Sequence, residues 1–165
     1  MLKDDLHPNA KELYNTVYKL HPESVMEVGC GGCYHLKNIH LLVPEIRLYG
    51  IDITMSQIDF GRWFSDLPQE VGDNLIMMDA TENVPEDRYE FVFTQAVVMH
   101  QSTDNAIKIM KNMKDMSTKY IFMIENPGHH GGEDVWRSMV SGVFTDCEIS
   151  YESRFNVNSI LITKP

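Results

Sequence analysis

The stretch Val25-Met26-Glu27-Val28-Gly29-Cys30-Gly31-Gly32-Cys33 decides how this chain is read. Val25, Met26 and Val28 look like the end of a buried strand, and the glycines that follow cannot continue it. Tyr34 to Leu42 then has the pattern of a helix. Strand, glycine turn and helix in succession let the backbone come close to a cofactor. Gly29 and Gly31 supply the positive φ and the missing Cβ that such an approach needs.

The acid before the turn narrows the ligand. A dinucleotide site wants G-x-G-x-x-G with phosphates on the amides that open the helix. Counted from Gly29, the third glycine falls at Tyr34, so that fingerprint fails and a nicotinamide dehydrogenase is disfavoured. A carboxylate at Glu27 repels a pyrophosphate and suits a cationic ligand with an amino group, such as S-adenosylmethionine. The pattern Glu27-Val28-Gly29-Cys30-Gly31-Gly32-Cys33 resembles motif I of the class I S-adenosylmethionine-dependent methyltransferases, usually [D/E]-x-G-x-G-x-G. Cys33 stands where the last glycine usually is.

Outward from this turn the chain alternates. Apolar residues from Pro8 to Leu20 share one helical face, and His21-Pro22-Glu23 stops that helix. Ile46 to Ile53 reads as a second strand. A helix then runs through Gln57, Ile58, Phe60, Trp63 and Phe64, capped by Thr54 or Ser56 and ended by Asp66-Leu67-Pro68. Asn74 to Met78, Tyr89 to Thr94 and Tyr120 to Ile124 are three further strands. Ser102-Thr103-Asp104 caps the helix between the last two. Pro127 to Gly132 reads as a flexible glycine-rich loop, followed by a short helix from Glu133 to about Val140. Cys147 to Phe155 and Ser159 to Thr163 form a closing hairpin through Asn156-Val157-Asn158. Alternation implies a parallel sheet covered on both faces, and the hairpin implies an antiparallel edge. The expected fold is α/β, Rossmann-like, one domain over 1–165. The resemblance implies a seven-stranded sheet with a reversed C-terminal strand.

The same resemblance implies a site. Glu27, Gly29, Cys30 and Gly31 would meet the methionine part, and Asp52 with Ile53 would meet the ribose, about 20 residues after the turn. Asp79-Ala80 would take the adenine, and Gln95, at the end of the fourth strand, would lie beside the methionine part. The product would be S-adenosylhomocysteine. Tyr14, Phe60 and Trp63 offer ring faces for a sulfonium, although their helical spacing fits core packing better. His100, His129 and His130 are the candidate bases for an acceptor proton. Those three with Glu125 and Glu133 could also be assembled into a metal site, but no diagnostic spacing supports it and no metal is expected. Cys30-Gly31-Gly32-Cys33 read alone is a redox pair at a helix start; the glycines and Glu27 are better explained by cofactor binding.

The bulk numbers limit the partners. The chain has 165 residues, a net charge of −10, and no Lys/Arg cluster, which disfavours direct nucleic-acid binding. No apolar run approaches a membrane span, and Met1-Leu2-Lys3-Asp4-Asp5 lacks the apolar segment of a signal peptide. Three cysteines, an odd count, fit a reducing cytoplasm. Ala96-Val97-Val98-Met99-His100 resembles a segment of small-molecule and sugar-modifying members of the family, which implies a sugar, glycan or small-metabolite acceptor. So bare a core is not expected to enclose a private acceptor pocket, so a homo-oligomer could complete one. A non-catalytic module that binds S-adenosylmethionine is the rival expectation.

Overall fold

The computed structural model describes residues 6–64, 66–154 and 157–165. Helix α1 (Pro8–Leu20) starts where the His7 ring accepts the Asn9 amide, with Pro8 in the first turn, and ends at His21 in the left-handed region. Strand β1 (Ser24–Val28) is buried along its whole length. Its neighbours are β2 (Arg47–Asp52) and β4 (Tyr89–Gln95), both parallel to it. Between them run α2 (Tyr34–Leu42), α3 (Met55–Phe64), the short α4 (Gln69–Asp73) and β3 (Leu75–Met77). After β4 come a 3-10 turn (Val98–His100), α5 (Thr103–Met116) and β5 (Ser117–Ile124). A second 3-10 turn (Pro127–His130), α6 (Glu133–Val143), β6 (Glu148–Arg154) and β7 (Val157–Thr163) close the chain.

The seven strands form one sheet in the order β3-β2-β1-β4-β5-β7-β6. The reversed strand is β7, antiparallel to both β5 and β6, so the hairpin places it one position in from the edge. Pairing reaches Arg154 and Val157, so Val157 and Asn158, expected in the hairpin turn, belong to β7 instead; Asn156 of that expected turn lies outside the described residues. Chain order reverses between β1 and β4, which opens a crevice at their carboxyl ends.

Alternation along β1 explains the two cores. Val25 packs with α1, α2 and α3 on one face, and Met26 and Val28 pack with α5 and α6 on the other. Met26, Met110, Met113, Met116 and Met123 are all buried, so thioether side chains fill much of the second core.

Three sequence expectations change. Helix α4 was not foreseen, because Gln69 to Asp73 is too short to show helical period and contains Gly72. The segment Pro127–His130 is not a loose loop: the Asn126 side chain accepts the Gly128 amide at 3.0 Å and nucleates a 3-10 turn. Phe60 and Trp63 do not pack in the core; Trp63 is 77% exposed. Among the described residues, no helix is long and apolar enough to cross a membrane.

Candidate functional site

The amides of Gly29 and Cys30 both donate to the Ile51 carbonyl, at 2.8 and 2.9 Å, which ties the turn to the tip of β2. Gly29 has φ +74°, and a Cβ there would sit 2.4 Å from Val97 Cγ2. This glycine therefore lets the turn after β4 close against the turn after β1. Gly31 also has positive φ, and its amide donates to Asp52 Oδ2 at 3.0 Å. Asp52 Oδ1 accepts the Thr54 amide at 2.8 Å, so two backbone amides fix the orientation of the carboxylate.

Cys33 keeps the backbone of the glycine it replaces. Its φ is +61°, and its side chain is buried, with Sγ directed at the Gly31 carbonyl. Gly61 on α3 makes room for it, since a Cβ at that position would lie 2.6 Å from the sulfur. The Cys30 thiol is hydrogen-bonded to Cys33, which pushes Cys30 up and Cys33 down from the ordinary thiol range. Both are buried and free, whereas Cys147 is partly exposed. Iodoacetamide at neutral pH should label Cys147 in the folded protein and spare Cys30 and Cys33 until unfolding. Peptide mapping by mass spectrometry checks this, and fast labelling of either buried thiol would revive a redox role.

Glu27 lies on the first-core face of β1, opposite Gly50 and Phe93. It is 3% exposed, and its Oε2 has no hydrogen-bond partner among the described residues. Burial holds its carboxyl well above the usual range, and the nearby Cys33 and Asp52 add to this; the Leu36 amide opposes it. A buried carboxyl with a spare oxygen beside a glycine turn fits a ligand's ammonium group. Gln95 ends β4 with its Oε1 also buried and unpartnered among the described residues.

A cavity of about 240 Å³ opens at the carboxyl ends of these strands. Gly29, Asp52 and Ile53 line one side, and Val97 and His100 line another. Met78, Ala80 and Gln101 also line it. One acid on an otherwise largely apolar wall suits a nucleoside, whose ribose is polar and whose base is flat. Asp79 is turned to its own loop: Oδ1 accepts from the Thr81 amide at 2.8 Å and hydroxyl at 2.7 Å. Those hydrogen bonds hold its carboxyl below the usual range.

The three histidines separate. His100 lines the cavity, and His129 stands beside it, both rings exposed with centroids 5.8 Å apart, edge to face. His130 is buried, donates from Nε2 to the Val98 carbonyl at 3.0 Å, and stacks on Trp136. It is occupied with structure. Among the described residues, no three His, Cys, Asp or Glu side chains converge as metal ligands.

Sequence reasoning missed the role of Glu125, which it named only as a possible metal ligand. Glu125, buried at the tip of β5, accepts the amides of Val97 at 3.2 Å and Met99 at 3.0 Å. Tyr14 packs in the core, as its helical spacing favoured; its hydroxyl lies 2.9 Å from His35 Nδ1 and accepts from Asn38 at 3.0 Å. Burial lowers the His35 pKa to about 4, so that ring is neutral near pH 7. Nothing in the linear order links these pairs; an acid at a strand tip was the one signal for Glu125.

No protein-family model and no curated protein sequence matches the chain. Solved structures do. Magnesium protoporphyrin IX methyltransferase from Synechocystis PCC 6803, with S-adenosylmethionine bound, superposes with TM-score 0.75 at 12% identity, covering 95% of this chain and 78% of that one. A plantazolicin methyltransferase in complex with S-adenosylhomocysteine gives 0.71 at 15% identity, over 93% and 80%. The S-adenosylmethionine-dependent methyltransferase SibL gives 0.75 at 11% identity, over 94% of this chain and 54% of that one. The chain has the class I S-adenosylmethionine-dependent methyltransferase fold.

Proposed function

We propose that this chain binds S-adenosylmethionine at the β1–β4 crevice and transfers its methyl group to an oxygen or nitrogen of a sugar, glycan or small metabolite. The observation that carries this reading is the pairing of a preaimed Asp52 with the unpartnered, buried Glu27 across one glycine turn. In it, Asp52 accepts from the ribose hydroxyls and Glu27 meets the ammonium. Ile53, Asp79 and Ala80 border the nucleoside, while Gly29, Cys30, Gly31 and Gln95 border the methionine part. The sulfonium supplies the reactive methyl group, so the protein's task is to orient and to exclude water. The acceptor loses a proton as the new bond forms, and His100 or His129 takes it at a ring nitrogen on the rim. The exposed rim leaves the acceptor side open, which supports a large acceptor or a second copy of the chain as its wall.

Equilibrium dialysis against S-adenosylhomocysteine and against NAD⁺ tests the cofactor. Retention of the first and not the second is expected, and the reverse would reject the reading. Turnover of S-adenosylmethionine over a panel of acceptors then separates an enzyme from a non-catalytic binding module.

Ligand uptake should also release a proton. Burial holds the Glu27 carboxyl well above the usual range, which favours its protonated form before a ligand binds. An ammonium brought against it favours the charged form and drives that proton off. Calorimetry in buffers of different ionisation enthalpy should therefore show more proton release with wild type than with Glu27→Gln.

A further inference from the structure

Two connections meet over the cavity, one after β4 and one after β5. The turn from Ala96 to His100 belongs to the first, and it presents Val97 to Gly29 and His100 to the cavity. The second connection grips this turn at both kinds of backbone group. Glu125 accepts the amides of Val97 and Met99, and His130 donates to the Val98 carbonyl between them. Glu125 is 4% exposed and has no ion-pair partner among the described residues, so those amides are its main partners.

We propose that Glu125 is a positioning residue of this site: its carboxylate holds the 96–100 turn against Gly29, and the ligand pocket is fully formed only while both oxygens accept. This rests on the cofactor reading above and deepens it. Ala96 has φ +54°, a backbone that alanine adopts only when its surroundings impose it. The Ala96 amide to the Ile124 carbonyl, at 3.0 Å, fixes the turn's start, and the carboxylate fixes its middle.

The device carries a pH dependence. Burial raises the Glu125 carboxyl to about 7, against the opposing amides of Met99, Val97 and Val98 and the Thr94 hydroxyl. The groups facing it are those amides and Thr94 from β4, with His130 and Trp136 behind the turn and His100 and His129 at the rim. None of the described neighbours is a lysine or arginine ion-paired to it. Above about pH 7 both oxygens accept; below it one becomes a donor and one amide loses its acceptor.

Calorimetry with S-adenosylhomocysteine from pH 6 to 8.5 tests this, beside amide hydrogen exchange of the ligand-free protein normalised to intrinsic rates. Wild-type affinity should rise by about tenfold through pH 7, the effect of one charged hydrogen bond. Glu125→Gln keeps the shape but turns an NH₂ group toward one amide. It should bind about tenfold more weakly at pH 8 and lose the part of the pH dependence centred near pH 7, keeping any that Glu27 contributes. Exchange at Val97 and Met99 should quicken in that variant, while β1 amides stay protected. If Glu125→Gln keeps the wild-type profile, the titration belongs to another group and the proposal falls. If wild type takes up no ligand at any pH, the cofactor reading fails, and exchange at Val97 and Met99 still decides the clamp. Should the variant not fold, at least one of these two amides in wild type must lose protection below pH 7, or the clamp is wrong.

Discussion

Alanine at Gly29 is expected to destabilise the protein by about 2–5 kcal/mol and to remove ligand uptake. Two independent effects add. The left-handed backbone, φ +74°, costs a residue with a Cβ about 1–2 kcal/mol. The new methyl group would stand 2.4 Å from Val97 Cγ2, and relieving such an overlap costs about 1–3 kcal/mol. Val97 is β-branched and its turn is held by Glu125, so it cannot swing aside cheaply. For a domain of this length the loss corresponds to a fall of about 5–15 °C in Tm. Circular dichroism melts of Gly29→Ala and of Gly29→Ala with Val97→Ala separate the two effects. The double variant should recover the steric part and keep the backbone part. A single variant melting within about 2 °C of wild type would mean the two turns do not close together as described.

That contact also shows where the sequence stopped being informative. The glycine turn, the acid before it and the strand–helix alternation were legible because each is local: a positive φ selects glycine, and a buried parallel strand reads as an apolar run. Asp52 was legible by its distance from the turn. The closure of the Val97 turn on Gly29 was not, because it joins two chain segments that meet only across the switch point. The same holds for Cys33 and Gly61. A cysteine in place of a glycine reads as a departure from the pattern until the hollow on α3 is seen to take its sulfur. Among the histidines, sequence could not distinguish His130 from His129, adjacent residues in one turn. Burial against Trp136 and the bond to Val98 commit His130 to structure and leave His129 beside His100. Phe60 and Trp63 were misjudged for a physical reason: helical spacing shows that residues share a face, not which face the sheet covers.

Asp52 carries the second large effect. In the proposed site, removing its side chain deletes the acceptors for two ribose hydroxyls; it also frees the Gly31 and Thr54 amides it now holds. Hydrogen bonds to a charged group are worth about 1.5–3 kcal/mol each and are not additive when they share one carboxylate, so Asp52→Ala should weaken S-adenosylhomocysteine binding by roughly 10²-fold or more. Asp52→Asn retains one carbonyl oxygen and loses the charge, so its loss should be smaller, about tenfold. Stability should respond less than affinity, because the side chain is partly exposed and water can satisfy the freed amides. The ligand provides the cross-check. Deleting the 2′-hydroxyl of S-adenosylhomocysteine should weaken binding to wild type and leave binding to Asp52→Ala almost unchanged. If the deoxy ligand loses the same factor with both proteins, the carboxylate does not touch the ribose. Asp52 would then be a brace for the glycine turn, and the nucleoside would have to be recognised elsewhere along the crevice.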